Sequence, residues 1–266
     1  MHSDDHGIGR IVTRRELVAL LGASAAATIG RQLFAQSPPS GGGSAGCVVL
    51  PQQTEGPYFV DEKLERSDIR RDPATGLVTP GLPLDLRLVF SRVSAAGCAP
   101  VAGAVVDIWQ CDTMGVYSDA TDRSFDTKGK KFLRGYQVTD RDGVVRFTTV
   151  YPGWYPGRAV HVHFKVRSKE DGLSEFTSQF YFDEAMTDRV HARQPYAQHQ
   201  GRRMSNEQDG IYRNGGSMLI LPVAEAGGGY AATFNVGMQP GSAPPTDPFG
   251  PGRGRGGPFG RGGRGA

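Results

Sequence analysis

His161 and His163 stand one residue apart in the stretch Tyr151-Pro-Gly-Trp-Tyr155-Pro-Gly-Arg158-Ala-Val-His161-Val-His163-Phe164. On a strand, alternate side chains share a face, so the two imidazoles project together, roughly 7 Å apart at their Cα atoms. Imidazole alone suits zinc, copper, iron or nickel and names no metal. Two phenols narrow the choice. Tyr155 lies six residues before His161 behind a Pro-Gly turn, and Tyr117 follows Asp107-Ile-Trp109-Gln-Cys-Asp-Thr-Met-Gly115-Val. A phenol with a reference pKa of about 10 binds a soft divalent ion poorly at neutral pH. A hard trivalent ion holds it as phenolate, so two Tyr with two His point to Fe(3+).

These residues, with others around them, resemble the intradiol ring-cleavage dioxygenases, the family of catechol 1,2-dioxygenase and protocatechuate 3,4-dioxygenase. The resemblance runs through Gln53-Thr-Glu-Gly-Pro-Tyr-Phe59, Gly103 to Gln110, Gly115-Val-Tyr117-Ser118, Arg158 to Phe164 and Ser178-Gln179-Phe-Tyr-Phe182, in the family's order. It implies Tyr117, Tyr155, His161 and His163 as ferric ligands. Arg158 would stabilise negative charge on a bound aromatic, Gln179 would be a supporting glutamine of the pocket, and Tyr155 would double as a base. Tyr151 is the alternative to Tyr155, because Tyr155 lies only three residues before Arg158, where the best-known members carry a longer insertion. Tyr58 is expected to line or cover the mouth of the site. The implied substrates are a small catechol-type diol and O2, the implied product a cis,cis-muconate-type diacid, and a homo-oligomer is possible.

The elements that must position these residues read as short alternating strands: Leu82 to Leu88, Ala104 to Cys111, Gly135 to Thr139, Val144 to Val150, Val160 to Val166, Thr177 to Phe182, Ser217 to Val223 and Tyr230 to Val236. Period-two alternation predicts half-buried strands, and many of them at short spacing predict an all-β fold. The expected architecture is a β-sandwich of mostly antiparallel strands with long loops and little helix, which is also what the resemblance implies. Asp140-Arg-Asp-Gly143 reads as a hairpin turn. The one helix is expected within Asp183 to Arg193, with His191 and His199 as solvated surface residues.

Two other functions fit parts of the pattern. A non-catalytic β-sandwich binding module would use Trp109, Trp154 and Tyr155 as stacking platforms. A cupin-like metalloenzyme would add a carboxylate, Glu170 or Glu175, to the His pair.

At 266 residues and 38% hydrophobic composition the chain can bury a sizeable core, and its formal charge of +3 gives no reason to invoke nucleic acid. Residues 1–36, with Arg14-Arg15 before an Ala-rich run too short to span a bilayer, resemble a Tat-like signal, implying an exported, periplasmic or extracellular protein. Residues 37–46 read as a flexible linker, 47–238 as the catalytic domain, and 239–266 as a disordered Gly/Arg/Pro-rich tail. Of Cys47, Cys98 and Cys111, the first two are the expected disulfide and the third a buried small hydrophobe.

Overall fold

The computed structural model describes residues 48–168 and 175–239. The expected signal and linker, Cys47, and the tail beyond Gln239 lie outside the described residues. The long strand β1 (Pro83–Ser94) is the spine of the first sheet. Leu84, Leu86, Leu88 and Phe90 are 0–2% exposed, and the residues between them face the other way. That alternation is the signal the sequence carried. β1 pairs antiparallel with β2 (Gly97–Pro100) and with β5 (Val144–Val150), and parallel with β9 (Gly229–Met238), which pairs in turn with β8 (Ala224–Ala226).

The second sheet has the order β4-β3-β6-β7, all antiparallel, formed by β3 (Val105–Trp109), β4 (Arg134–Val138), β6 (His161–Arg167) and β7 (Phe176–Tyr181). The two sheets pack through apolar side chains that their alternation brings inward. Phe164 of β6 is fully buried, with ring centroids 4.2 Å from Phe180 and 6.0 Å from Phe90 across the sheets, and Phe180 meets Phe234 of β9 at 5.3 Å. The described residues therefore form an all-β sandwich, and the one α-helix among them, α1 (Glu184–His191), is capped by the Asp183 carboxylate accepting from Met186 N at 2.8 Å.

Three local expectations change. The Asp140–Gly143 turn closes as expected, Gly143 N donating to Asp140 O at 2.9 Å, but it joins strands of different sheets rather than a hairpin, since β4 pairs with β3 and β5 with β1. Ser217 to Val223 is not a strand: Gly216–Leu219 forms a 3-10 turn entered through Gly215 at φ 85°, and only Ile220 bridges to Tyr181. Leu219 and Leu221 are buried by that turn, so their spacing imitated a strand's alternation. Third, β6 and β7 are buried on both faces rather than half-buried, because loops cover the side away from the sandwich core.

Phe164→Ala should cost about 3–5 kcal/mol, since its pocket lies between two sheets that cannot readily collapse. Urea unfolding measures this; a loss below about 1 kcal/mol would contradict the packing described.

Candidate active site

The loop-covered face of the second sheet carries the chemistry. β-register sets His163 opposite Trp109 on β3 and opposite Gln179 on β7, and His161 opposite Tyr181, so these five side chains share one face. The Trp109 indole lies flat on the His163 ring, 4.9 Å between centroids at 5°, and both are buried. Loops close over this platform. Gly56, at φ 73°, lets the Thr54 to Phe59 segment cross the imidazole: a Cβ there would sit 3.3 Å from His163 Cε1. Gly115, at φ 82°, brings the Tyr117 loop against the Tyr155 loop, where a Cβ would meet Trp154 O at 2.3 Å. Gly115 leaves no room for a side chain, and at Gly56 a Cβ would press on the imidazole in a backbone conformation that side chains rarely adopt.

Four donor atoms converge there. His161 Nε2 lies 3.0 Å from His163 Nε2, 3.2 Å from the Tyr155 hydroxyl and 3.4 Å from the Tyr117 hydroxyl. The Ala159 carbonyl, which only accepts, is 2.6 Å from His161 Nδ1, so that nitrogen carries the proton and the Nε2 lone pair faces the cluster. Tyr117, His161 and His163 are 1–2% exposed, and Tyr155 is half-buried. Burial holds both imidazoles well below their ordinary pKa, with Arg158 adding to the effect. Burial likewise pushes Tyr155 up to about 12, partly offset by Arg158, and Tyr117 well above the ordinary phenol. Two neutral imidazoles and two phenols packed this closely present more acceptors than donors to one another. A hard trivalent cation would suit the set: it would take both imidazole lone pairs and displace the phenol protons that burial otherwise retains.

Tyr151, the alternative to Tyr155, is placed elsewhere: its hydroxyl pairs with Thr187 Oγ1 at 2.8 Å in the core. Glu175 pairs with Lys165 at 2.9 Å, Glu170 lies outside the described residues, and among the described residues no group of three His, Cys, Asp or Glu side chains is arranged to hold a metal. The indoles proposed as stacking platforms are unavailable. Trp109 is covered by His163 and Phe59, and Trp154 is 9% exposed under His199, with centroids 4.1 Å apart at 10°. His191 and His199 are thus half-buried and packed, not solvated, and neither reaches the cluster; His191 Nε2 contacts Pro152 O at 3.0 Å. Cys111 is free and buried, whereas Cys98 is disulfide-bonded.

Arg158 and Gln179, both implied by the resemblance, meet directly, with a support the sequence did not reveal. The Arg158 Nη2 donates to Gln179 Oε1, and its Nε donates to Asp209 Oδ2 at 2.9 Å. Asp209, 1% exposed, also accepts from Ala159 N at 2.9 Å and Ile211 N at 2.7 Å. Gln179 Nε2 donates to Thr54 O at 2.8 Å, and Tyr181 lies within hydrogen-bond distance of both Gln179 and Gln53. Asp209 sits in Asn206-Glu-Gln-Asp-Gly210, which reads as an ordinary turn; nothing in that spacing pairs it with an arginine 51 residues away. Gln53 and Thr54 did lie inside a quoted motif.

The architecture is similar to that of an intradiol ring-cleavage dioxygenase from Tetranychus urticae, at 32% identity and a TM-score of 0.64, over 74% of this chain and 96% of that one. A family model described as dioxygenase matches residues 54–203, more than half of the chain. The chain belongs to the intradiol ring-cleavage dioxygenase family. Within that family, the protocatechuate 3,4-dioxygenase β chain of Burkholderia cepacia is 33% identical over 120 residues, 42% of this chain and 51% of that one. Catechol 1,2-dioxygenase 1 of Acinetobacter lwoffii is 30% identical over 156 residues, 49% of this chain and 45% of that one. This intradiol-family chain thus spans about half the length of the curated relatives it matches.

An imidazole whose folded pKa is depressed contributes stability that is present above its unfolded value of about 6.5 and lost as the pH falls below it. His161 and His163 should each make the metal-free protein lose up to about 1.4 kcal/mol per pH unit between roughly pH 6.5 and 5. In urea unfolding at pH 7 and 5, His163→Gln should show a shallower loss than the parent by about one such increment. Identical slopes would mean that His163 is not held neutral.

Proposed function

We propose that the protein cleaves a catechol-type diol between its two hydroxyl-bearing carbons, with Fe(3+) held by Tyr117, Tyr155, His161 and His163 and both atoms of O2 entering the product. The observation that carries the reading is the convergence of two phenol oxygens and the His163 Nε2 on His161 Nε2, at 3.0–3.4 Å, on a buried sheet face. Bound there, ferric iron would draw electron density from a chelated catecholate and open the ring to dioxygen. The remaining work falls to the side chains.

Tyr155, the less buried of the two phenols, would take a proton from a catechol hydroxyl at its Oη once ionised, so that one residue serves as ligand and as base. Arg158 would stabilise negative charge building on the ring. Its guanidinium is fixed at Nε by Asp209 and at Nη2 by Gln179, so no reorientation is needed when charge develops. Trp109 and the Thr54 to Phe59 segment keep water from the imidazole face.

We also place the protein outside the cytoplasm. Arg14-Arg15 ahead of the Ala-rich run supports this, as does the disulfide at Cys98, because such bonds persist in oxidising compartments. Among the described residues no helix is long and apolar enough to cross a membrane.

Iron-loaded protein given catechol under isotopically labelled O2 should release the ring-opened diacid with both labelled atoms, identified by mass spectrometry. Absence of O2 uptake, or a ring-opened aldehyde from cleavage beside the diol, would contradict the proposal. Arg158→Ala should keep its iron and lose about 10²–10³-fold in kcat. Full activity in that variant would remove Arg158 from the mechanism.

A further inference from the structure

Tyr58 closes the outer side of the cluster. Its ring stacks on Tyr117, with centroids 4.5 Å apart at 24°, and meets Tyr155 edge-on at 6.5 Å and Phe125 at 6.1 Å. Tyr117, His161 and His163 are buried, whereas Tyr58, Tyr155 and Phe125 are half-buried, so the way to solvent passes these three rings. The Tyr58 hydroxyl donates to Asp122 Oδ2 at 2.7 Å. That bond holds the Asp122 carboxyl below its ordinary range, so it is ionised at neutral pH.

The turn that carries the carboxylate is also fixed in place. Asp122 N donates to Phe125 O at 2.8 Å, Thr121 pairs with Asp126 across the same turn, and Thr127 Oγ1 donates to Tyr117 O at 2.6 Å. The turn is thereby tied to the residue that carries one of the cluster phenols. Among the described residues no Lys or Arg side chain pairs with Asp122; the nearby guanidinium of Arg134 is buried and spent on Ser118 and the Tyr58 carbonyl. With its proton committed to Asp122, the Tyr58 oxygen has only lone pairs to offer, and so has the carboxylate.

We infer that the Tyr58–Asp122 pair selects the ring substituent: it favours catechols that are neutral or carry a hydrogen-bond donor or cation, and it rejects carboxylated catechols. This rests on the catechol reading above and names the substrate class of that same site. A substituent that donates finds two acceptors at the mouth, whereas a carboxylate meets a like charge, the Ser124 hydroxyl beside it already donating to Asp122 Oδ1 at 3.5 Å, a juxtaposition that discriminates through repulsion rather than fit.

The test compares catechol, 3,4-dihydroxybenzoate and dopamine as substrates of the iron-loaded full chain and of its Asp122→Asn variant, together with anaerobic dissociation constants from calorimetry. The expected result is that Asp122→Asn raises the kcat/KM ratio of 3,4-dihydroxybenzoate to catechol at least tenfold and lowers that of dopamine to catechol, with dissociation constants moving in the same sense. In the parent protein, discrimination against 3,4-dihydroxybenzoate should weaken as salt rises to about 0.5 M, because a mouth charge is screened. Ratios that stay within twofold while catechol is cleaved would overturn the selector role alone. Failure of both proteins to cleave any of the three would overturn the dioxygenase reading and this inference with it.

Discussion

His163 Nε2 and the hydroxyls of Tyr155 and Tyr117 crowd within 3.0–3.4 Å of His161 Nε2 in a buried space, and the rest of the molecule is arranged to make that arrangement tolerable. Buried polar groups without complementary partners are costly. Here His163 Nδ1 and Trp109 Nε1 have no partner at all among the described residues, and the two Nε2 atoms face each other. Such a set is held by its scaffold rather than by its own attraction. The scaffold is the second sheet, whose register fixes Trp109, His163 and Gln179 in a row, while the opposite face of the same strands is locked into the sandwich through Val162, Phe164 and Phe180. One strand therefore does two jobs, with even-numbered residues holding the fold and odd-numbered residues holding the site.

The second constraint is a buried positive charge. Arg158 is 8% exposed, and a guanidinium in that position needs a counter-charge and filled hydrogen bonds. Asp209 and Gln179 supply both, and each is itself tied down, Asp209 by the backbone of Ala159 and Ile211, Gln179 by Thr54. Burial first, and the Arg158 charge second, keep both imidazoles in the neutral form that a metal requires.

What the sequence made legible follows from the range of the signal. His161 and His163 share a face because of a two-residue period that any strand imposes, and Leu84, Leu86 and Leu88 announce the sandwich in the same way. Tyr155 in preference to Tyr151 was not decidable from spacing; the core hydrogen bond of Tyr151 to Thr187 separates them only in three dimensions. Asp209 was invisible because an ion pair across a long loop leaves no period. The Asp140–Gly143 turn misled because turn chemistry specifies a reversal but not which strands it joins. His191 and His199 misled because a polar residue in a polar stretch reads as solvated, whereas aromatic neighbours, Tyr196 and Trp154, had stacked on them.

The visible absorption of the purified protein loaded with ferric iron, before and after anaerobic addition of catechol, tests the four-donor cluster most directly. Tyrosinate bound to ferric iron absorbs in the visible, so the account predicts a red-brown protein whose band weakens or shifts in Tyr117→Phe and Tyr155→Phe and moves when catechol is added. A protein that binds ferric iron and stays colourless, or whose colour survives the loss of both tyrosines, would contradict it.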